Sequence, residues 1–266
     1  MVTIVKIGGR LTEGPFLDGI GADIASNRSL GPLAIVHGGG DLVTRFGERM
    51  GIKQKFVTAP SGVRSRYTDD DTLQACLMVL AGLVNTRVVV ALERQGVQAL
   101  GLTGADCGLM QAERWEKILV VNQGRKMAID GGHSGRPIAV NSGLIKSLFE
   151  LSIVPVVAPL GMDASKDLVN MDGDSAAAAI ASALKADSLL FLTDVDGLLV
   201  DGKVVSKVSA DELEALIKNT GVGMNRKLLS ASKALKGGVS KVIISNGKVE
   251  RPISAALSDG KGTVIE

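Results

Sequence analysis

The chain has 266 residues, 45% hydrophobic and 22% charged, which is enough to bury a core as one large domain or two apposed lobes and excludes intrinsic disorder. Aromatic residues make up only 3% while glycines number 33, so the core must be aliphatic and many turns open, a composition that favours α/β. A net charge of +2 is too small to imply nucleic acid, and Cys76 and Cys107 stand without a CxxC or a metal-ligand spacing, as expected in a reduced, cytoplasmic compartment.

The N-terminus enters a strand directly, with no basic stretch and apolar signal core. No apolar run reaches the roughly 18 residues that span a bilayer, so no membrane association is expected. In chain order, Val2 to Ile7, Leu33 to Val36, Ile118 to Val121, Ile153 to Ala158, Ser188 to Thr193 and Lys241 to Ser245 read as buried strands, because each is continuously apolar rather than alternating. Helical patterns fill the gaps: Asp70 to Arg94, broken near Gly82; Asp174 to Lys185; and Ala210 to Asn219, capped by Ser209 with Glu212 closing a capping box. Leu198 to Val200 and Lys203 to Val205 flank Asp201-Gly202, a strong hairpin signal. The alternation predicts a mainly parallel sheet covered on both faces. No linker is evident, and a lobe boundary is placed near residue 165.

Two glycine clusters follow predicted strands: Lys6-Ile7-Gly8-Gly9 and His37-Gly38-Gly39-Gly40. Open α/β sheets bind ligands at the carboxyl ends of their strands, and backbone without Cβ atoms can aim N–H groups at an anion. Either cluster alone is also an ordinary tight turn. Neither GxxxxGK[ST] nor a well-placed GxGxxG is present, so P-loop and dinucleotide-binding assignments lack support.

Taken together, VKIGG at the start, IVHGGG, Asn170 to Asp174 (Asn-Met-Asp-Gly-Asp), LTDVDGLL (Leu192 to Leu199) and GMNRK (Gly223 to Lys227) resemble acetylglutamate kinase and its relatives in the amino-acid kinase family. The resemblance covers essentially the whole chain. It implies a three-layer αβα sandwich with a mainly parallel central sheet, an acyl-substrate lobe at 1–165 and a nucleotide lobe at 166–266. It further implies ATP with Mg as phosphoryl donor and no metal site on the protein. Lys6 and Lys227 match the lysines that stabilise the phosphoryl in flight, and Asp174 the carboxylate that holds them. Two ammoniums suit a loose, anionic transition state. Locally, Asp174 also reads as a helix N-cap. Gly39 and Gly40 match the backbone that receives the substrate carboxylate; Gly8 and Gly9 match the turn at the ATP phosphates. Asn170 resembles the substrate-binding amide, and Asp194, Val195, Gly197 and Leu198 the loop around the nucleotide. Asp172 departs from the second Asn usual in acetylglutamate kinases.

Gly62 to Asp69, GVRSRYTD, looks like the form found in the branch acting on carrier-bound substrates, with Arg66 in the place of the substrate arginine and Arg64 beside it. A guanidinium can pair with a carboxylate through two bonds. That branch phosphorylates aminoadipate or glutamate attached to an acidic amino-group carrier protein, LysW. Arg45, Arg49, Lys53, Lys55, Arg64 and Arg66 against the single acid Glu48 give a stretch on which an acidic partner could dock. No aromatic platform accompanies these charges, which disfavours nucleic acid. His37 reads as structural, His133 as part of a mobile loop, and Asp69 to Asp71 as a helix start rather than a metal site. A homodimer is implied by the resemblance alone. Free N-acetylglutamate as substrate, and a non-catalytic sensing role, stay as alternatives.

Overall fold

A computed structural model describes residues 1–27, 30–200 and 202–266. Its centre is an eight-stranded sheet in the order Lys207–Val208, Thr263–Ile265, Lys241–Asn246, Ser188–Thr193, Thr3–Ile7, Leu33–His37, Val154–Ala158, Ala99–Thr103. All neighbours are parallel except Lys241–Asn246 with Thr263–Ile265. Five of the predicted strands lie here. Their side chains alternate between two cores: Ile4, Val36, Phe191 and Ile244 face one layer, Val5, Ile35, Leu190 and Ile243 the other. Burial on both sides explains why these strands read as unbroken apolar runs.

Helices Gly173–Leu184 and Val222–Lys236 cover the first face, and Phe16–Ser26, Asn85–Glu93 and Pro252–Leu257 the second. This is the expected αβα sandwich. Strands from before residue 165 occupy one half of the sheet and those from after it the other.

Several expectations need correction. Ile118–Val121 is not a buried sheet strand: it belongs to Lys117–Asn122, which among the described residues pairs only with Arg125–Asp130, in a separate two-stranded hairpin that exposes Leu119 and Met127. The helix from Asp70 does not break at Gly82; it continues to Glu93 through a π-helical stretch, Leu77–Val84. That run is, against expectation, long and apolar enough by length and composition to cross a bilayer, yet half of its most apolar window is buried inside the protein. Ser209 and Glu212 make the reciprocal capping bonds, but regular helix begins only at Leu213. Leu199–Val200 pairs with Lys203–Val204 as predicted, with Asp201 itself outside the described residues. His133 is not on a loose loop. Its N–H donates to Thr68 O at 2.7 Å and its Nε2 lies 2.6 Å from Asp70 Oδ1.

Candidate active site

Parallel pairing sets Lys6 between Val36 and Phe191 near the carboxyl end of the sheet, with its side chain almost fully buried. Asp172, not Asp174, caps the helix that follows, Gly173–Leu184: its Oδ1 accepts from Ser175 N at 3.0 Å. Asp174 is thereby free to point inward from the first turn. Lys6 Nζ lies 2.7 Å from Asp174 Oδ1, and Lys227 Nζ, from helix Val222–Lys236, donates to Oδ2 at 2.9 Å. Residues 6, 174 and 227, far apart in sequence, meet in one ion cluster.

One buried carboxylate serves two ammoniums, so the cluster carries a net positive charge. Burial would raise the Asp174 pKa, but the two lysines overcome it and hold the acid down at about 2. Burial also works against the Lys6 ammonium, and its contact with Asp174 more than offsets this and raises its pKa. Lys227 is shifted down, first by burial and then by repulsion from Lys6, because the shared acid compensates only in part. An excess of buried positive charge with nowhere to discharge is the electrostatic complement of a multiply charged phosphoryl group.

The two glycine loops lock together above this cluster. Gly38 N donates to Ile7 O at 2.8 Å, and a Cβ on Gly9 would sit 2.8 Å from Gly39 N, so the approach tolerates no side chain. Helix Gly40–Arg49 starts here and turns its positive end toward the gap. The resulting cavity, about 220 Å³, is lined by Lys6, Gly8, Gly9, Arg10, Gly40, Asp41, Thr193, Asp194 and Lys227 among others. A larger cavity of about 640 Å³ lies between helices Phe16–Ser26 and Asn85–Glu93 and includes neither lysine. The buried lysine pair makes the smaller one the candidate site.

Lys6, Lys227, Asp174, Gly8, Gly9, Gly40 and Asp194 are thus brought together, and Gly39 packs behind them. Arg66 joins from the hairpin Lys55–Thr58/Arg64–Tyr67: its Nη2 donates to Gly40 O at 2.7 Å and Thr44 Oγ1 at 2.8 Å, and its Nη1 to Gln54 Oε1. Asn170 stands further out, its Nδ2 bonded to Thr68 Oγ1 at 3.1 Å. Arg64 stacks on Phe56 at 4.4 Å instead of entering the cavity. Leu198 belongs to the core, and its N–H is taken by Thr263 Oγ1 at 2.8 Å; Val195 and Gly197 are not among the lining residues. Sequence reasoning missed Arg10, which bonds Asp194 at 2.7 Å and approaches Asp41 at 3.4 Å. Its position directly after Gly8-Gly9 was the available signal. The basic stretch is partly spoken for as well. Arg45 pairs with Glu13 and Lys55 with Asp69, leaving Arg49 and Lys53 exposed with no ion pair among the described residues.

His37, fully buried, braces the second loop. Its Nδ1 lies 3.0 Å from Gly38 O and its Nε2 3.2 Å from Asn85 Nδ2, so the neutral ring donates to the carbonyl and accepts from the amide. Burial is the main reason its pKa falls to about 4. The unfolded chain takes up this proton near the ordinary value, so the stability held by neutral His37 is intact above about pH 6.5 and drains as pH falls toward 4, by roughly 3 kcal/mol in all. Urea unfolding from pH 7 to 4 should show wild type losing more stability than His37→Gln; parallel curves would remove His37 from the account.

A model of the amino acid kinase family matches residues 1–246, and the chain belongs to that family. A protein of Cenarchaeum symbiosum is 46% identical over 266 residues, 100% of this chain and 99% of its own. The [LysW]-aminoadipate/[LysW]-glutamate kinase of Saccharolobus islandicus is 44% identical over 264 residues, 98% of both chains. Among solved structures, N-acetylglutamate synthase from Neisseria gonorrhoeae superposes with a TM-score of 0.81 at 27% identity over 99% of this chain; the chain spans 59% of that longer protein. Carbamate kinase from Giardia lamblia shares the fold, with a TM-score of 0.68 at 16% identity over 99% of this chain and 98% of its own.

Proposed function

We propose that this chain is a phosphotransferase that moves the γ-phosphoryl of ATP to the side-chain carboxylate of aminoadipate or glutamate held on an acidic carrier protein of the LysW kind. The observation that carries the chemistry is the pair of buried lysines sharing Asp174 beneath a glycine-lined cavity. ATP fits the residues present: Gly8, Gly9 and Arg10 line the cavity on the side of Asp194, and Lys6 and Lys227 close its base in charge terms. In this reading residues 166–266 form the nucleotide lobe, with the backbone from Asp194 to Leu198 alongside the nucleotide, and residues 1–165 the acyl lobe. There Gly39, Gly40, Arg66 and Asn170 orient the acceptor, and Lys6 and Lys227 neutralise charge on the phosphoryl oxygens as it transfers. Asp174 touches neither reactant and holds the lysines. Mg would enter with ATP, on its phosphate oxygens.

The choice of a carrier-bound acceptor is supported by the 44% identity to the Saccharolobus kinase and by the surface beside Arg66. Arg49, Lys53 and Arg64 are exposed, and the neighbouring hairpin adds Lys117 and Lys126 on the face of Leu119 and Arg125 on the face of Met127. Two free cysteines support a cytoplasmic location. Exposed Met78, Val90 and Leu100, by the edge strand Ala99–Thr103, favour a homodimer, which sedimentation reads directly.

The test is a side-by-side assay with ATP and Mg. Carrier-linked aminoadipate or glutamate should turn over far faster than free N-acetylglutamate, and charge reversal of Arg49 and Lys53 or added salt should slow the carrier reaction through encounter without weakening ATP binding. Efficient turnover of N-acetylglutamate with none of the conjugate would overturn the carrier reading.

A further inference from the structure

Arg226 precedes the lysine of the ion cluster and points elsewhere. Its Nη2 donates to the backbone carbonyl of Arg64, and its Nη1 lies 3.8 Å from Asp172 Oδ2. The carbonyl that accepts this bond and the carboxylate that Arg226 faces sit on different parts of the molecule. Arg64 opens the second strand of the hairpin that delivers Arg66 to Gly40. Asp172 caps the helix that carries Asp174. Among the described side-chain hydrogen bonds, the one from Arg226 is the bond that joins helix Val222–Lys236 to this hairpin.

We propose that Arg226 is a positioning residue that ties the acceptor-side hairpin to the two helix ends bearing Lys227 and Asp174, so that seating of the acceptor and placement of the phosphoryl-transfer lysine are coupled. Neighbouring positions on a helix diverge by about 100°, which lets Lys227 turn inward to Asp174 while Arg226 turns outward to the hairpin. A planar guanidinium presents donors at two ends of a rigid fork, so it can hydrogen-bond the Arg64 carbonyl while its other end stays beside the Asp172 carboxylate; the compact ammonium of a lysine does not have that fixed two-ended span. With a side chain 29% exposed, Arg226 is partly shielded from solvent. Its bond is to a main-chain carbonyl, so it responds to displacement of the strand itself and not to the rotamer of a partner. A shift of Arg64 is passed to the residue next to Lys227 and, through Asp172, to the cap of the Asp174 helix.

This inference rests on the proposed acceptor side, so its test has an arm that needs no acceptor. Hydrogen–deuterium exchange on the full chain without ligands should show faster exchange in residues 55–67 of Arg226→Ala than in wild type, and an intermediate rate in Arg226→Lys. In the kinase assay, Arg226→Ala should lower kcat for the carrier-linked acceptor at least tenfold with KM for ATP changed less than twofold, and Arg226→Lys should recover part of kcat. Unchanged exchange in residues 55–67 would overturn the tie. Altered exchange with unchanged kcat would overturn the coupling. Should the wild type use only free N-acetylglutamate, the carrier reading falls, while the exchange arm and kcat on that acceptor still decide the role of Arg226.

Discussion

Replacing either Lys6 or Lys227 with methionine should lower kcat by roughly 10²-fold or more while leaving the protein folded. The reason lies in the count of charges. Asp174 is ion-paired with both lysines, at 2.7 and 2.9 Å, so deleting one ammonium leaves a paired carboxylate and one lysine. The buried cluster then becomes neutral, a change that burial favours. What disappears is the excess positive charge that makes the site attractive to the transferring phosphoryl. The loss should therefore fall on kcat more than on KM for the acceptor, with urea unfolding close to wild type or slightly more stable. A variant that folds normally and keeps wild-type kcat would take that lysine out of the chemistry.

The chemistry was more legible in the sequence than the periphery was. Strands Thr3–Ile7, Leu33–His37 and Ser188–Thr193 are buried on both faces, so their continuous apolar runs were unambiguous, and the glycines and Lys6 sit at or just beyond their ends. The same rule failed for Ile118–Val121, whose apolar run lies on a separate hairpin; run length carries no information about what covers a strand. Hairpin Lys55–Thr58/Arg64–Tyr67 was invisible as strand because its residues are mostly polar and half-exposed, although it delivers Arg66. Within the π-helical stretch Leu77–Val84 the one irregular residue, Gly82, read as a break, whereas the helix absorbs it by widening; glycine weakens a helix locally without saying which of the two will happen. Pairwise meetings such as Arg10 with Asp194 or Arg226 with Arg64 depend on tertiary approach between elements more than 160 residues apart, which local pattern does not encode.

Asp174→Asn should be far more damaging to stability than either lysine substitution, by about 3–5 kcal/mol, because it leaves two buried ammoniums facing each other with no counter-charge. An amide can accept one hydrogen bond from a lysine, but it supplies no compensating charge. Two further results follow from the same electrostatics. Adding Lys227→Met to Asp174→Asn should recover part of the loss, a coupling opposite in sign to independent destabilisations, because it removes half of the repelling pair. The deficit relative to wild type should also depend on pH. Wild-type Asp174 is held down at about 2 against an ordinary value of 3.8, so its contribution is complete above about pH 4 and is lost as pH falls toward 2. The wild-type and Asp174→Asn unfolding curves should converge over that window. In the variant the lysines lose their counter-ion, their pKa values drop, and its deficit should narrow again as pH rises above neutrality and they discharge. Urea titrations of the three variants at pH 3, 7 and 9 decide the matter. A deficit under about 1 kcal/mol at pH 7, or one that adds to that of Lys227→Met, would mean that Asp174 does not hold the lysine pair through its charge.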